Sequence, residues 1–159
     1  MDIRSAESRD IEKCVRLLAA LPEYFTQSTH DDARQDLTTS LGWVAIDDRS
    51  VVGFVVAPRR FGLAAEITYA AVSPDRRGQG IGTALVHRCL DDLARAGVQM
   101  VEVKTLDASA NYEPYVSTRA FWERRGFIQI DCIDPLPGWE PGNPSAIYAR
   151  AVGDTRRGA

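Results

Sequence analysis

From Val72 to Thr83 the chain reads Val-Ser-Pro-Asp-Arg-Arg-Gly-Gln-Gly-Ile-Gly-Thr, with glycine at positions 78, 80 and 82 and the pair Arg76-Arg77 just ahead of them. An apolar run, Ala64 to Val72, leads in and reads as a strand, while the apolar-periodic segment Ile81 to Ala96 leads out and reads as a helix. Glycine lets a backbone approach a ligand closely, and the first turn of a helix offers unpaired N–H groups at the positive end of its dipole. Together these make a cradle for phosphate or diphosphate, to which Arg76, Arg77 and Gln79 add charge and hydrogen bonds. Two common cradles do not fit. No Gly-Lys-Ser/Thr follows, as a P-loop requires, and the last glycine of a dinucleotide fingerprint would fall on Thr83.

The elements that must hold this stretch can be read in order. Asp2-Ile3-Arg4 opens a strand, Ser8 stands at a helix N-cap position, and Ile11, Cys14, Val15 and Leu18 recur at helical spacing to about Ala20, where Pro22 ends the pattern. Pro22 to Ser40 is polar, with a helix near Asp31 to Thr38 that is apolar only through Ala33 and Leu37. This segment is either a flap over a substrate site or a solvated connector. Gly42 to Ile46 and Val51 to Ala57 form a hairpin through Asp47-Asp48-Arg49-Ser50, and Pro58 to Gly62 turns the chain into the Ala64 strand. The helix after the glycines ends with Arg95 in its last turn and Gly97 at the C-cap position. Val98 to Leu106 then alternates as a strand parallel to the one before the helix, a βαβ unit. A helix over Tyr115 to Arg125 stopped by Gly126, a strand Phe127 to Ile133, a Pro/Gly-rich loop Asp134 to Pro144 and a strand Ala146 to Val152 complete one domain, residues 1–152. Residues 153–159 read as a flexible tail.

Composition limits the alternatives. A chain of 159 residues suits a single core, and its net charge of −3 argues against nucleic acid as a main partner. No apolar run nears the roughly 18–20 residues of a membrane span and the first residues carry no signal-peptide pattern, so the expected location is the cytoplasm. Cys14, Cys89 and Cys132 are scattered in apolar contexts and read as buried reduced thiols, not as a disulfide framework or zinc site. The two histidines, His30 and His87, are too few for a histidine-rich metal centre, and neither has a sequence partner; no metal is expected.

The arrangement Arg77-x-x-Gly80-x-Gly82, preceded by Val72-x-Pro74, closely resembles the coenzyme A signature (Arg/Gln)-x-x-Gly-x-(Gly/Ala) of the GNAT superfamily of N-acetyltransferases. Phe121-Trp122-Glu123-Arg124-Arg125-Gly126-Phe127 is similar to the Phe/Leu-Tyr-x-x-x-Gly-Phe ending of that family's last helix. Ala65-Glu66-Ile67 through Val72 resembles its central strand, in which several members carry a glutamate six residues before the valine. The element order is similar across nearly the whole chain. The resemblance implies an α/β fold with a mixed central sheet of about seven strands flanked by about four helices, its parallel strands splayed at an acetyl-CoA site. In such a fold the pantetheine arm lies in the gap and pairs with backbone around Ala71, Val72 and Ser73. The diphosphate rests on the amides of Arg77, Gly78, Gln79, Gly80, Ile81, Gly82 and Thr83.

The activity implied is transfer of acetyl from acetyl-CoA to a primary amine, on a small molecule, an amino acid or a protein N-terminus, by direct attack in a ternary complex. That reaction needs a neutral amine, a polarised thioester carbonyl, close positioning and an exit for the thiolate. A backbone N–H near Val72 would serve as oxyanion donor, and Glu66, a charge within an apolar strand whose burial would raise its pKa, is the candidate base, acting through a water. The alternative for Glu66 is an outward glutamate on a half-exposed strand; Glu102 and Lys104 beside it form a solvated face or line the cleft. The chain departs from the family at the acid: Trp122 occupies the usual tyrosine position, and an indole N–H does not titrate near neutral pH. Either the thiolate leaves unaided or Tyr115 or Tyr112 donates the proton; both tyrosines can equally be packing aromatics. A second reading is a non-catalytic coenzyme A-binding module in which Trp122 marks a lost acid. Nucleic acid and membrane are not expected partners, and a homodimer is left open.

Overall fold

The computed structural model describes residues 1–153; the expected tail lies, from residue 154 on, outside them. Strands β1 (Asp2–Ser5), β2 (Gly42–Asp47), β3 (Ser50–Val56) and β5 (Tyr69–Val72) form an antiparallel sheet in the order β1-β2-β3-β5. A second sheet has the order β4-β6-β8-β7, built from β4 (Ala64–Ile67), β6 (Met100–Leu106), β7 (Ile128–Ile133) and β8 (Ser145–Ala151). Its β4–β6 pair is parallel and the others are antiparallel. The helices are α1 (Ile11–Ala19), α2 (Gln27–Thr39), α3 (Ile81–Arg95) and α4 (Pro114–Glu123). The expected α/β architecture is present, with one more strand because a single expected strand is divided.

That division organises the molecule. Ala64 to Val72 reads as one apolar run, yet β4 pairs with β6 only as far as Ile67 opposite Val103. At Thr68 the chain changes partner: the Thr68 N–H donates to the Val56 carbonyl at 3.1 Å, and Tyr69 to Val72 then run antiparallel to β3. One stretch thus begins in one sheet and ends in the other, and the sheets separate beyond it.

Helical periodicity explains what covers each face. Leu85, Val86, Cys89 and Leu93 of α3 pack with Trp122 and Phe127 against Trp43, Val55, Ala65, Ile67, Val101 and Val103. On the other side Cys14, Leu18 and Leu21, with Ala33 and Leu37 of α2, cover Val44, Phe54, Val56 and Ala71. Ser8 is not the cap of α1. It opens a short 3-10 turn, Ser8–Asp10, closed by a reciprocal Glu7–Asp10 capping box. Asp10 is the reason: only 1% exposed, it accepts Arg4 Nη1 at 2.7 Å, Arg4 Nη2 at 3.1 Å and the Glu7 N–H at 2.9 Å, tying β1 to the helix start. The α2 helix begins earlier than expected because Thr26 and Thr29 form a capping box ahead of Gln27. The β2–β3 turn places Asp48 and Arg49 at φ of 45° and 65°, the left-handed pair of a tight two-residue hairpin.

Cys14 and Cys89 are buried, and burial pushes both thiols up, Cys14 to about 12. Cys132 is exposed on β7, which corrects the expectation of three buried thiols: β7 pairs on one side only, and its outer positions face solvent. No helix of the described residues is long and apolar enough to cross a membrane.

Candidate active site

The separation of β5 from β6 leaves two strand edges facing a common gap. Tyr69–Val72 is the last strand of its sheet, and β6 loses its neighbour β4 after Val103. The Ser73 N–H donates to Val52 O at 2.9 Å. Antiparallel alternation therefore turns the N–H groups of Val72 and Ala70 away from β3, toward the gap. An extended chain entering here would find unpaired main-chain groups, as an added strand does.

Beyond Val72 a short 3-10 turn, Pro74–Arg76, brings the chain to Arg77 and then to Gly78 and Gly80, whose φ values of 76° and 79° lie in the left-handed region. Gly80 is the N-cap of α3 and supplies no side-chain cap, so among the described residues the first-turn N–H groups of Ile81, Gly82 and Thr83 have no side-chain acceptor. The glycines have different reasons. A Cβ at Gly78 or Gly80 would meet nothing within 4 Å, so these two serve the backbone conformation. A Cβ at Gly82 would sit 3.1 Å from Phe121 Cε2 and 3.5 Å from Val72 Cγ2. The third glycine therefore lets α4 approach the first turn of α3, and the two sequence motifs meet there.

The charges at this end are partly committed elsewhere. Arg76 is spent on Asp47, with Nη1 2.7 Å from Oδ2, and so does not add to the cradle as its sequence position suggested. Arg77 is exposed, its guanidinium 5.5 Å from the Tyr24 ring centre, and Gln79 is exposed. On the far side stands Arg125, which carries no signal in the sequence beyond its place before Gly126. It donates to the Phe121 carbonyl at 2.6 Å and to Thr83 Oγ1, and its guanidinium lies 3.4 Å over the Phe121 ring.

At the other end of the gap is Glu66. Its side chain is 12% exposed, on the opposite strand face from Ala65 and Ile67, and it is paired with two cations. Arg60 Nε lies 2.8 Å from Oε2 and Lys104 Nζ 3.0 Å from Oε1. Lys104 also reaches Glu102 at 2.7 Å; burial opposes its charge, but the two carboxylates hold its pKa above the ordinary value. Lys104 and Glu102 are thus part of one ion cluster with Glu66, not merely a solvated face.

Tyr112 and Tyr115 are both hydrogen-bonded to main chain. Tyr115 OH donates to Tyr24 O at 3.2 Å, Tyr112 OH to Glu23 O at 3.3 Å, and Tyr24 OH returns a bond to Pro114 O at 3.1 Å. Burial, and then the neighbouring Tyr24 and Tyr112, push Tyr115 up to about 12. These bonds lash the α1–α2 loop to the start of α4. Ring contacts continue the line from Tyr112 to Tyr115 (6.0 Å), Tyr24 (5.3 Å), Phe25 (6.3 Å) and Tyr69 (6.4 Å). Tyr69 is pushed up to about 12 by burial first, then by the charges of Asp32, Asp36 and Glu66. Tyr24 and Phe25, inside a polar segment, and Tyr69, inside an apolar run, had no signal in the sequence beyond their aromatic character. Trp122, 4% exposed, is edge-on to Phe121 and Phe127 in the core. His30 is buried on α2 and His87 is exposed on α3; neither joins this group.

Residues 11–127 match the family described as Acetyltransferase (GNAT) family. Among solved structures, a protein from Desulfovibrio desulfuricans assigned to the GNAT family superposes with a TM-score of 0.84 at 20% identity, covering 94% of this chain and 98% of that one. The ribosomal-protein-S18-alanine N-acetyltransferase of Escherichia coli superposes with a TM-score of 0.77 at 18% identity, covering 99% and 97%. An aminoglycoside 6′-N-acetyltransferase complexed with coenzyme A gives 0.74 at 21% identity, covering 95% and 97%. No curated protein matches the chain by sequence. At these identities the structures testify to the fold, while the sequence match spans most of the chain: the protein belongs to the GNAT acetyltransferase family.

Proposed function

We propose that this chain transfers the acetyl group of acetyl-CoA to a primary amine, by direct attack of the amine within a complex of all three. The observation that carries the reading is the change of strand partner at Thr68, which turns the N–H groups of Ala70 and Val72 into a gap that ends on the uncapped first turn of α3. The diphosphate takes the N–H groups from Gly78 to Thr83, while that of Arg77, also expected to contribute, already donates to Pro74 O at 3.4 Å; the arm runs back along Ala71, Val72 and Ser73. The thioester therefore lies toward Thr68, about 10 Å back along the strand from Ser73 at the usual rise per residue. The outward N–H of Ala70 is the nearer donor to polarise the carbonyl there.

The amine nitrogen bonds to the carbonyl carbon, the C–S bond breaks, and the sulfur leaves as thiolate. A thiol of pKa about 8.5 makes a thiolate stable enough to depart without a strong acid. Tyr115 is a poor proton donor: moving a proton from a phenol at about 12 to such a thiolate is uphill by roughly 5 kcal/mol. Tyr115 and Tyr112 are instead the roof that fixes the acceptor side of the cleft. Glu66 takes the amine's proton through a water, releasing Lys104 to Glu102 as it does so. The family's members include enzymes acting on a ribosomal-protein alanine and on an aminoglycoside, so the acceptor here is proposed only as an amine. The proposed setting is the cytoplasm. Thiol release from acetyl-CoA against a panel of polyamines, aminoglycosides, amino acids and N-terminal peptides tests the reading. Amine-dependent release is expected; tight coenzyme A binding with no release on any amine would favour a non-catalytic module.

A further inference from the structure

Arg125 follows the end of α4, just before Gly126, and reaches across to the first turn of α3. Its guanidinium is half-buried, laid on the Phe121 ring, with Nη1 on the Phe121 carbonyl and Nη2 on Thr83 Oγ1. Nε is buried and, among the described residues, without a hydrogen-bond partner. Among the described residues no carboxylate pairs with it, and its chain neighbour Arg124 is a like charge. A desolvated cation beside the positive end of a fifteen-residue helix is an unfavourable arrangement by itself. An anion at the same place removes the penalty.

Thr83 sharpens the point. Its hydroxyl accepts from Arg125, so its own proton remains to be donated, and no acceptor for it is found among the described residues. A hydroxyl that accepts from a guanidinium is polarised into a better donor. Arg77, its guanidinium 5.5 Å from the Tyr24 ring centre, pairs with no carboxylate among the described residues, whereas Arg76 is held by Asp47.

We infer that Arg125 is a positioning residue for the coenzyme's diphosphate: acting through Thr83, it presents the hydroxyl proton to a phosphoryl oxygen and supplies the positive charge that the protein leaves unbalanced. This rests on the coenzyme reading proposed above. It also gives a reason for arginine before Gly126: the planar cation can stack on Phe121 and donate along two directions while staying protonated.

Calorimetric titration of coenzyme A and of 3′-dephospho-coenzyme A into wild type, Arg125→Met, Arg125→Lys and Thr83→Val, over a range of salt, tests it. Loss of one charge-assisted hydrogen bond predicts about 10- to 100-fold weaker binding for Arg125→Met. The loss should be the same for both ligands, with a flatter salt dependence than wild type. Lysine should restore part of it. Thr83→Val, which keeps the helix, should weaken binding in the same direction, and the double variant should lose little more than the worse single one. A folded Arg125→Met that binds within about twofold of wild type, or with a parallel salt profile, overturns the inference and leaves Arg125 a clamp between helices. A defect confined to coenzyme A and absent with the dephospho form overturns the diphosphate assignment. Failure of wild type to bind either ligand would sink the coenzyme reading itself and the inference with it.

Discussion

Replacing Glu66 with glutamine separates a structural carboxylate from a working one. Glutamine keeps the volume and can still accept from Arg60 or Lys104, but the charge is gone. The stability cost is bounded by the partners. Arg60 is 45% exposed and largely screened, and Lys104 keeps Glu102 at 2.7 Å, so a loss of about 1–2 kcal/mol is expected. For a domain of this size that lowers the melting temperature by roughly 2–8 °C. The chemical cost is larger if Glu66 is the base: loss of a general base lowers turnover by about 10²–10⁴-fold, a barrier increase of roughly 3–5 kcal/mol. The two effects differ further in pH dependence. A lysine-like amine with pKa near 10.4 gains about 100-fold in free form between pH 7 and pH 9, so the defect should shrink over that interval. An α-amine near 7.7–8.0 is already appreciably free at pH 7 and should show a smaller defect throughout, about 10-fold at most. The assay is thiol release at saturating acetyl-CoA from pH 6.5 to 9.5, with coenzyme affinity measured in parallel and expected to change little. A profile parallel to wild type, with little loss at any pH, would remove Glu66 from proton transfer and leave the Glu66–Lys104–Arg60 cluster as a brace at the foot of the cleft.

Four further outcomes follow from the geometry. Gly80→Ala places a side chain at a φ of 79°, costing about 1–2 kcal/mol, and should weaken coenzyme binding by reorienting the helix start; Gly82→Ala presses on Phe121 at 3.1 Å and should cost about 1–3 kcal/mol by overpacking. Denaturant melts and titration with coenzyme A check both, and a Gly82→Ala protein as stable as wild type would contradict the packing role. Tyr115→Phe should reduce turnover at neutral pH by no more than about threefold, because thiolate departure does not need its proton; a loss above about 100-fold, the scale of an acid catalyst, would restore the tyrosine to the chemistry. Asp10, whose burial is outweighed by its bonds to Arg4 and the Glu7 N–H, has its carboxyl held below the ordinary range. Its contribution is therefore fully present above about pH 4 and is lost as pH falls through the lowered folded value, and Asp10→Asn should cost about 2 kcal/mol at pH 7 while flattening the acid limb of the stability profile.

Residues that are neighbours along the chain settle the features that can be read without the fold. The glycine turn needs left-handed backbone at residues 78 and 80, and only local residue identity decides whether that is cheap, so the turn is legible as written. The α3 helix, the β2–β3 hairpin and the βαβ order follow from periodicity and turn chemistry in the same way. The tertiary structure alone decided where Ala64 to Val72 divides, because apolar alternation is identical whether the partner is β6 or β3, and only the competition between two sheets selects Thr68. It decided the company of Glu66, whose cations come from a turn six residues back and a strand 38 residues on. The tyrosine lashings span 89 to 91 residues, and Gly82 is required by a ring on a different helix. Hydrogen bonds, ion pairs and close contacts act over a few ångströms of space, and a polar or aromatic residue carries no mark in the sequence of which distant group the fold will bring to it.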